Sequence, residues 1–360
     1  MKKKYKNLEE KIKKKIYQDG PMTIEDYMSM CLQDEEYGYY IYKKPIGADG
    51  DFITAPEVSQ MFGEMIALWL ITTWQKIGKK KINIIELGPG NGYMMDDIQR
   101  VSKRFPDFSQ SIEIWLYDTS KTLAVEQARN IGNVFKRINT LEKLPNGINF
   151  FIANEFFDAI PIKQFIYKEP DWIERAIDID DAGQFTHTTL DTKNEELTDL
   201  DLFGNGLCKD MIYETSPKQD NILKIIFKNI SKNGGLLIID YAKITGGAGD
   251  TLQAISAHEK KSIFDKPGDT DLTCLIDMKR YIEIAKTMNI NSFGPINQSD
   301  FLLSLGIHER YTMLKSNISD EHKSTLYRQY HRLIDSDKMG ELFKVLYFSN
   351  NRSSVPEKMK

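Results

Sequence analysis

The run from Ile84 to Gly92 constrains the fold of this chain most strongly, because an apolar stretch there leads directly into three glycines at every second position. Ile84 to Leu87 predict a buried strand, and Gly88, Gly90 and Gly92 predict a sharp turn at its carboxyl end. Glycine is required where the backbone turns tightly and where a ligand lies against main chain that carries no Cβ. The pattern therefore predicts a nucleotide-binding turn between a strand and a helix. The alternative is a tight turn that binds nothing.

The spacing of these glycines separates two classes of cofactor. Dinucleotide sites use Gly-x-Gly-x-x-Gly, and Tyr93 stands where the third glycine of that fingerprint would be. A nicotinamide-dependent oxidoreductase is therefore disfavoured. Glu86 followed by the three glycines instead resembles the first motif of S-adenosylmethionine-dependent methyltransferases. The residues expected to bind that cofactor are Glu86, Gly88, Pro89, Gly90 and Gly92.

Composition excludes several other classes of protein. The 360 residues, 41% of them hydrophobic, suffice for one large domain or two closely packed ones. The net charge of -4 offers no general attraction to nucleic acid. Cys31, Cys208 and Cys274 lie far apart without metal-ligand spacing, so we expect reduced cysteines and no bound metal. The longest apolar run, Met65 to Ile71, is far shorter than the roughly 20 residues that span a bilayer.

The lysine-rich start of the chain contains no long apolar segment, so it does not predict a secretory signal. We therefore expect a cytoplasmic location. Leu8, Ile12 and Ile16 recur at four-residue spacing and predict the apolar stripe of a helix that docks on the rest of the protein.

Three parts are expected along the chain. The first is a helical N-terminal segment at 1–57, whose stretch from Tyr37 to Asp51 is rich in glycine and aromatic residues and is typical of a lid. The second is a nucleotide-binding core at 58–250 with an insertion at about 164–210. The third, at 251–350, completes the sheet and the substrate site.

From Lys81 onward, short apolar runs alternate with helical stretches, which is typical of βαβ units and a parallel sheet. Together they predict an α/β fold with a doubly wound sheet. Its five expected strands are Ile82 to Leu87, Ile112 to Tyr117, one near Val134, Ile148 to Ala153 and Leu236 to Asp240. Within the insertion, Phe165 to Tyr167 and Ile173 to Ile179 predict short antiparallel strands at the edge of that sheet. Leu342 to Phe348 predicts one further strand.

The residues that follow each strand are candidates for function, because ligands of open α/β sheets bind beyond the carboxyl ends of the strands. Asp118 follows the second strand and can accept both hydroxyls of a ribose. The competing interpretation is that Asp118 caps the next helix, but Thr119 and Ser120 are equally good caps. We therefore expect Asp118 to bind the cofactor.

Asn154, Glu155 and Asp158 follow the fourth strand with no basic residue between them. Methyl transfer from a sulfonium is a direct displacement, to which positioning of the nucleophile contributes about 7 to 11 kcal/mol at best. An arginine acceptor has a pKa above about 12, and carboxylates can orient its guanidinium through paired hydrogen bonds. We therefore expect these three residues to be catalytic. The alternative is that they cap a helix before Pro161.

Three further residues each allow two interpretations. Glu57 can face a substrate and is included among the candidate catalytic residues, but it also completes a capping box with Thr54. Glu214 lies at another junction between a strand and a helix and carries the same ambiguity. His258 can act as a general base, although a lone histidine is more often structural.

An ordered set of motifs, within a match that covers roughly residues 20 to 350, includes the glycine turn and the stretch from Asn154 to Pro161. The other members are Gly20-Pro21-Met22-Thr23 with Tyr27-Met28, Tyr37-Gly38-Tyr39-Tyr40, Gly50 to Glu57 with Ser59-Gln60, Pro267-Gly268 with Asp271-Leu272-Thr273 and Asp277, and Phe293-Gly294-Pro295-Ile296 with Gln298. In this order the motifs resemble one family, the MidA-like or DUF185-type methyltransferases.

The resemblance implies a class I methyltransferase fold that uses S-adenosylmethionine. For mitochondrial members, which are complex I assembly factors, it implies symmetric dimethylation of an arginine on a complex I subunit. The cofactor role carries over to Glu86, the three glycines and Asp118, where members commonly have glutamate. The chain lacks the paired-glutamate loop of the better-known arginine methyltransferases, so their guanidinium-binding residues cannot be transferred to it.

We therefore expect a methyltransferase that acts on a protein, with a complex I peripheral-arm subunit as the substrate. Two alternatives stay open: an assembly chaperone that binds the cofactor without transferring a methyl group, and a methyltransferase for another substrate. Neither nucleic acid nor membrane insertion is expected, and a homodimer is left open. If the protein is mitochondrial, the expected location is the matrix.

Overall fold

The structure is a computed structural model that describes residues 5–42, 54–132, 134–193, 208–244, 246–256 and 259–359. Most of the predicted lid, from residue 43 onward, and His258 lie outside the described residues. The helices are α1 (Leu8–Asp19), α2 (Ile24–Gln33), α3 (Tyr39–Tyr42), α4 (Ala55–Val58), α5 (Gln60–Lys76), α6 (Tyr93–Ser102), α7 (Pro106–Ser109), α8 (Lys121–Ile131), α9 (Pro217–Lys228), α10 (Met278–Thr287), α11 (Gln298–Ser304), α12 (Ile307–Ser316), α13 (Asp320–Ile334) and α14 (Met339–Leu342). The strands are β1 (Met22–Thr23), β2 (Ile82–Leu87), β3 (Ile112–Tyr117), β4 (Phe135–Ile138), β5 (Asn149–Asn154), β6 (Lys163–Lys168), β7 (Asp171–Ile179), β8 (Phe185–Lys193), β9 (Ile212–Thr215), β10 (Gly235–Lys243), β11 (Gln253–Ser256), β12 (Glu259–Lys261), β13 (Asp271–Thr273), β14 (Ile276–Asp277), β15 (Ser292–Asn297) and β16 (Phe343–Phe348).

The main sheet has the order β15-β16-β10-β5-β2-β3-β4, with β14 paired to β10. The strands from β10 to β4 are parallel, whereas β16 is antiparallel to both of its neighbours. Along the chain, β3 and β4 are added on one side of β2, and β5 and β10 on the other. The strand order therefore reverses between β2 and β5. The predicted doubly wound sheet of the class I fold, with all five expected strands, is confirmed.

The central strands are apolar along their whole length because helices cover both faces of the sheet. Every residue of β2 and of β5 is buried, as expected for parallel strands inside an α/β protein. On one face, Trp69 of α5 packs edge-on against Phe150 and Tyr347, with ring centroids 6.2 and 5.5 Å apart. Helices α9 and α10 contribute Leu223 and Tyr281 to a second core on the other face. This rigid centre fixes the positions of the loops at the strand ends.

The insertion does not extend the edge of the main sheet, so that part of the sequence prediction is wrong. Strands β6 to β9 form a separate antiparallel sheet with β1, in the order β1-β7-β6-β9 with β8 beside β7. Met22 of β1 lies opposite Ile177 of β7. Both residues are buried in one cluster with the N-terminal helices. The N-terminal segment, and not the main sheet, therefore covers the apolar face of the insertion.

The N-terminal helices dock as the sequence predicts. Leu8, Ile12 and Ile16 of α1 are all buried, and the Thr23 side chain caps α2 by accepting from the amide of Asp26. A third sheet, β12-β11-β13, packs beside them and brings Asp271 to the end of the main sheet. The division of the chain into three parts stays a prediction. Within the described ranges, no helix is both long and apolar enough to cross a membrane.

Candidate active site

A cavity of about 150 Å³ lies beyond the carboxyl ends of the central parallel strands, where the strand order reverses. Its walls come from α3, the glycine turn after β2, the connection after β3, the turn after β5, and β13. Each segment contributes at least one residue to the lining, including Tyr40, Gly88, Asp118, Glu155, Asp158 and Asp271. This is where the ligand of an open α/β sheet is expected.

The glycine turn forms one wall of the cavity. Gly88, Gly90 and Gly92 have φ values of 65°, 53° and 86°, which favour glycine. A Cβ on Gly88 would lie 2.8 Å from Cδ2 of Phe156. Gly88 and Gly90 line this larger cavity, whereas Pro89 lines a smaller cavity beside it. Gly92 lines neither cavity, and a Cβ there would lie 2.7 Å from Cδ1 of Ile131 in α8. Gly92 therefore allows the close packing of α8 against the turn.

Asp118 lines the same cavity and is held by two neutral donors. Its Oδ1 accepts from the amide of Ser120 at 2.8 Å, and its Oδ2 accepts from Nε2 of Gln127 at 2.7 Å. Burial raises the pKa of Asp118. The Ser120 hydroxyl caps α8 by accepting from the amide of Leu123 at 3.2 Å. The cap is therefore Ser120, and Asp118 is left to line the cavity.

Gln127 is a residue that sequence reasoning missed. It is fully buried on α8, and its Nε2 also donates to the carbonyl of Gly90 at 2.8 Å. Its Oε1 accepts from Nη1 of Arg137 at 2.6 Å. One amide thus ties the glycine turn to Asp118. In the sequence, Gln127 is recognisable only as a polar residue on a helix near the turn. Such residues are too common for this pattern to identify Gln127 as functional.

Glu86 lies beneath the turn and lines neither cavity. It is 3% exposed, and its Oε2 has no hydrogen-bond partner in the described structure. Burial, reinforced by the negative charge of Asp118, raises the pKa of Glu86 to about 8. A buried carboxyl oxygen without a partner is costly.

The turn after β5 contains the predicted catalytic residues. No helix lies between β5 and β6, so the interpretation of Glu155 and Asp158 as helix caps is wrong. Glu155 has a φ of 50°, and its Oε1 accepts from the amide of Ala55 at 3.0 Å and from Nδ2 of Asn154 at 3.1 Å. Burial raises the pKa of Glu155 to about 8.

Two acids from distant segments meet Asp158, and sequence reasoning assigned a role to neither. Oδ2 of Asp240 in β10 accepts from the amides of Phe157 and Asp158 at 3.0 and 3.3 Å, so Asp240 holds the turn in place. Asp271 lines the cavity with Asp158 and accepts from the Tyr40 hydroxyl at 3.1 Å. Burial and then the charge of Asp271 raise the pKa of Asp158. We call Glu155, Asp158 and Asp271 the acid wall.

Glu57 lines the smaller cavity together with Asn154 and Glu155. Its Oε1 accepts from Nδ2 of Asn91 at 2.9 Å, while its Oε2 is buried without a partner. The predicted capping box is only half formed, because the Thr54 side chain makes no capping hydrogen bond although its amide donates to Glu57. Glu57 therefore faces the site with one oxygen uncommitted.

Glu214, which the sequence left ambiguous, lines neither cavity. Its Oε2 lies 2.6 Å from Nζ of Lys243, and its Oε1 accepts from Nε2 of Gln164 at 2.9 Å. This buried, fully paired carboxylate is a structural residue. Across the described ranges, no group of three or more His, Cys, Asp and Glu side chains is arranged to hold a metal ion.

Comparison with known proteins bears on the chemistry of this site. The family model Methyltransf_28, of S-adenosyl-L-methionine-dependent methyltransferases, matches residues 65–296. The mitochondrial protein arginine methyltransferase NDUFAF7 of Danio rerio is 32% identical over 356 residues, which cover 92% of this chain and 84% of that protein. The Homo sapiens protein of the same name is 32% identical over 362 residues, covering 91% of this chain and 80% of that protein.

Solved structures share the architecture. A COG1565 superfamily member from Burkholderia thailandensis, crystallised with S-adenosyl-homocysteine, has a TM-score of 0.84 at 23% identity and covers 97% of this chain and 92% of that chain. A native structure of a COG1565 superfamily protein from the same organism has a TM-score of 0.80 at 22% identity, with coverage of 97% and 92%. At these identities the likeness establishes the fold alone.

Proposed function

Because this chain belongs to the family of S-adenosyl-L-methionine-dependent methyltransferases, we propose that it methylates an arginine side chain of a protein. The family match over residues 65–296 confirms the predicted activity class and cofactor. The arginine acceptor is proposed from the activity named for the relatives and from one observation in the site. That observation is the acid wall, in which buried Asp158 and Asp271 and partly buried Glu155 line the cavity beside the glycine turn.

The residues of the cavity fit the cofactor. Gly88 and Gly90 offer bare main chain to the cofactor, and Asp118 offers a carboxylate to its ribose. Glu86 adds a buried oxygen that lacks a partner beneath the turn. When bound, S-adenosylmethionine supplies a methyl group on a positively charged sulfur. We propose Gly88, Gly90 and Asp118 as contacts to its adenosine, and Glu86 as their support.

The acceptor end of the cavity is suited to a cation. None of the described residues that line either cavity is a lysine, arginine or histidine. A guanidinium placed against Glu155 and Asp158 would receive two carboxylates in the paired geometry that orients it best. Asp271 supplies a third negative charge, held by the Tyr40 hydroxyl. Together these groups would balance the positive charges of the acceptor and the donor.

A carboxylate can also receive the proton that the reaction releases. As the new N–C bond forms, the attacked nitrogen becomes strongly acidic and gives up one proton. Burial raises the pKa of Asp158 and of Glu155, which makes each carboxylate a stronger base than one in water. We propose that Asp158 takes this proton, because its neighbour Glu155 is engaged with the amide of Ala55. General base catalysis of this kind contributes about a hundredfold to ten-thousandfold.

The finer parts of the proposal concern substrate and location. We propose a peripheral-arm subunit of respiratory complex I as the substrate, from the resemblance of the motifs to the family of complex I assembly factors. The matched relatives carry mitochondrial names, and Cys31 and Cys274 are buried free thiols. A reducing compartment, either cytoplasm or mitochondrial matrix, suits such a protein. A homodimer stays a prediction.

The test is a labelling reaction that identifies the modified residue. The purified chain is incubated with S-adenosylmethionine carrying a tritiated methyl group and with the peripheral-arm subunits, and the products are hydrolysed to amino acids. We expect label in methylated arginine. Label found only in lysine, or only in a small molecule, would refute the acceptor assignment.

The matched variant is Asp158→Ala in the same assay. We expect it to bind S-adenosyl-homocysteine and to transfer no label. If this variant fails to transfer yet still restores complex I assembly in cells that lack the native protein, the protein acts in assembly as a cofactor-binding chaperone.

A further inference from the structure

Three aromatic residues line the larger cavity together with the acid wall, and two of them have a defined contact there. The three are Tyr40, Phe156 and Tyr241. The hydroxyl of Tyr40 donates to Asp271 at 3.1 Å. The ring of Phe156 packs against the glycine turn, where it fills the space that a Cβ on Gly88 would need. The role of Tyr241 follows from its place on β10.

Hydrogen bonds hold Tyr241 beside the acid wall. Tyr241 follows Asp240, and its amide donates to Oδ1 of that residue at 2.9 Å. The other carboxylate oxygen of Asp240 accepts from the amide of Asp158 at 3.3 Å. The amide of Glu155 donates to the carbonyl of Ile239 at 3.0 Å. The strand that carries Tyr241 is therefore tied to the turn that carries the two acids, so the ring keeps a defined place beside them.

The side chain of Tyr241 is half-buried and packs against Phe343, with ring centroids 4.0 Å apart and ring planes inclined by 41°. Tyr241 also lines the cavity. Burial, and then the charges of Glu155 and Asp158, raise the pKa of Tyr241, so its hydroxyl stays neutral. A neutral aromatic ring in this position presents a flat, electron-rich face to a cation that lies between it and the acids.

Carboxylates alone do not distinguish arginine from lysine. Both side chains are cations that donate N–H groups, and Glu155 and Asp158 can accept from either. The guanidinium differs because it is planar, more weakly hydrated and able to stack on an aromatic face, whereas an ammonium group is compact and strongly hydrated. A site that selects arginine therefore needs carboxylates at the edge of the acceptor group and a ring against its face.

We propose that Tyr241 selects a guanidinium acceptor, with its ring against one face of that group while Glu155 and Asp158 bind the N–H edge. The inference rests on the proposed arginine acceptor and names the residue that makes the site specific for it. The reacting electron pair of a planar nitrogen lies perpendicular to the guanidinium plane. A ring on one face therefore leaves the opposite face for the methyl group, so Tyr241 also orients the nitrogen for displacement.

Binding of two small cations tests the inference without any turnover. Methylguanidinium and methylammonium carry the head groups of arginine and lysine, and each is titrated by NMR into the protein loaded with S-adenosyl-homocysteine. We expect the native protein to prefer methylguanidinium. Tyr241→Leu should bind methylguanidinium about tenfold more weakly, with methylammonium changed by no more than about threefold. Tyr241→Phe keeps the ring and should keep the preference.

Tyr167→Leu is the matched control. Tyr167 is also a half-buried tyrosine on a strand, packed against Trp172 at a centroid distance of 5.3 Å, but it lines neither cavity. Its replacement should change neither cation affinity. Affinity for S-adenosyl-homocysteine should stay within about twofold in every variant, which reports a folded donor site. If the leucine variant at position 241 loses that affinity, Tyr241→Met, which keeps more of the side-chain volume, takes its place.

Two results would overturn the inference while the acceptor assignment stands. In the first, Tyr241→Leu weakens the binding of both cations equally, so the ring does not read the shape of the acceptor group. In the second, that variant keeps the native preference for methylguanidinium. A native protein that does not prefer methylguanidinium would refute the arginine acceptor itself, and the inference with it.

Discussion

Buried carboxylates occur in two regions of this molecule and are treated in opposite ways. At the interface of α5, α6 and α12, Glu64 accepts from Arg100 at 2.9 Å and from Arg310 at 2.6 and 2.9 Å. These guanidinium groups outweigh the effect of burial and hold the pKa of Glu64 below its ordinary value. In the acid wall, burial raises the pKa of Glu155 to about 8, and no described basic residue lines the cavity.

The difference follows from the charges that surround each acid. A buried carboxylate is stable as an anion only where a cation or several donors meet it. Glu64 receives its cations from the chain itself. The raised pKa values of Glu155 and Asp158 favour their protonated forms while no cation meets them in the cavity. Between Glu64 and these two acids, the presence of a paired cation, more than burial, decides the direction of the pKa shift.

The largest effect is expected from Asp158→Asn in the acid wall. Turnover should fall about a hundredfold to ten-thousandfold, because the group that takes the proton is lost. Affinity for S-adenosyl-homocysteine should stay within about threefold, since a surface of unchanged shape still binds it. Single-turnover rates and calorimetry measure the two quantities. Turnover near the native rate would remove Asp158 from the mechanism.

The second prediction concerns Glu64→Gln, in the region where the acid is paired with arginines. It leaves two arginines facing a neutral group, so we expect the free energy of unfolding to fall by about 3 kcal/mol. Single-turnover rates measured well below the unfolding transition should match the native protein. Urea denaturation measures the free energy of unfolding. If this variant slows transfer as Asp158→Asn does, the comparison between the two regions fails.

Gln127→Leu probes an intermediate case, an acid held by neutral donors. The change removes the amide that joins Asp118 to Gly90, so S-adenosyl-homocysteine should bind about tenfold more weakly, or about 1.4 kcal/mol, which is within the roughly 0.5–1.5 kcal/mol of a typical hydrogen bond. In this variant, removing the 2′-hydroxyl of the ligand should cost less binding free energy than it does in the native protein. Calorimetry with S-adenosyl-homocysteine and its 2′-deoxy analogue measures both effects. An unchanged penalty would mean that Gln127 acts on the fold and leaves Asp118 in place.

The smallest effect is a pH dependence of stability in the protein without ligands. Because the folded pKa of Glu155, about 8, exceeds its unfolded value, its contribution is complete below the unfolded pKa and is lost as the pH rises through about 8. The free energy of unfolding should be about 1 kcal/mol lower at pH 8.5 than at pH 6. Glu64, with a lowered pKa, loses its contribution only in acid. Urea denaturation at both pH values, with Glu155→Gln as the control, measures the difference.

The cofactor side of the site was largely predictable because its signals are local. The glycine spacing after β2 and the acid after β3 each depend on residues adjacent in the chain, and the structure brings Gly88, Gly90 and Asp118 to one cavity. Five strands of the doubly wound sheet were predictable for the same reason. Burial of both faces makes each strand a continuous apolar run.

The acceptor side could be predicted only in part, because it is assembled from distant segments. Asp240 and Asp271 reach the turn after β5 from more than 80 residues away, through pairing that no local pattern encodes. Asp271 did stand within a motif of the family resemblance, but nothing in the motif gave it a role. The separate sheet of the insertion was missed for a similar reason, because β1 pairs with β7 across a large part of the chain.

The left-handed backbone at Glu155, with its φ of 50°, has a consequence for the evolution of this protein. An ordinary side chain in that conformation costs about 1–3 kcal/mol, and glycine at the same place would remove both the strain and the acid. Variants screened for heat resistance alone would therefore tend to discard Glu155. With the role proposed for Glu155, stability and activity oppose each other at this position, and a single substitution to glycine would trade activity for stability.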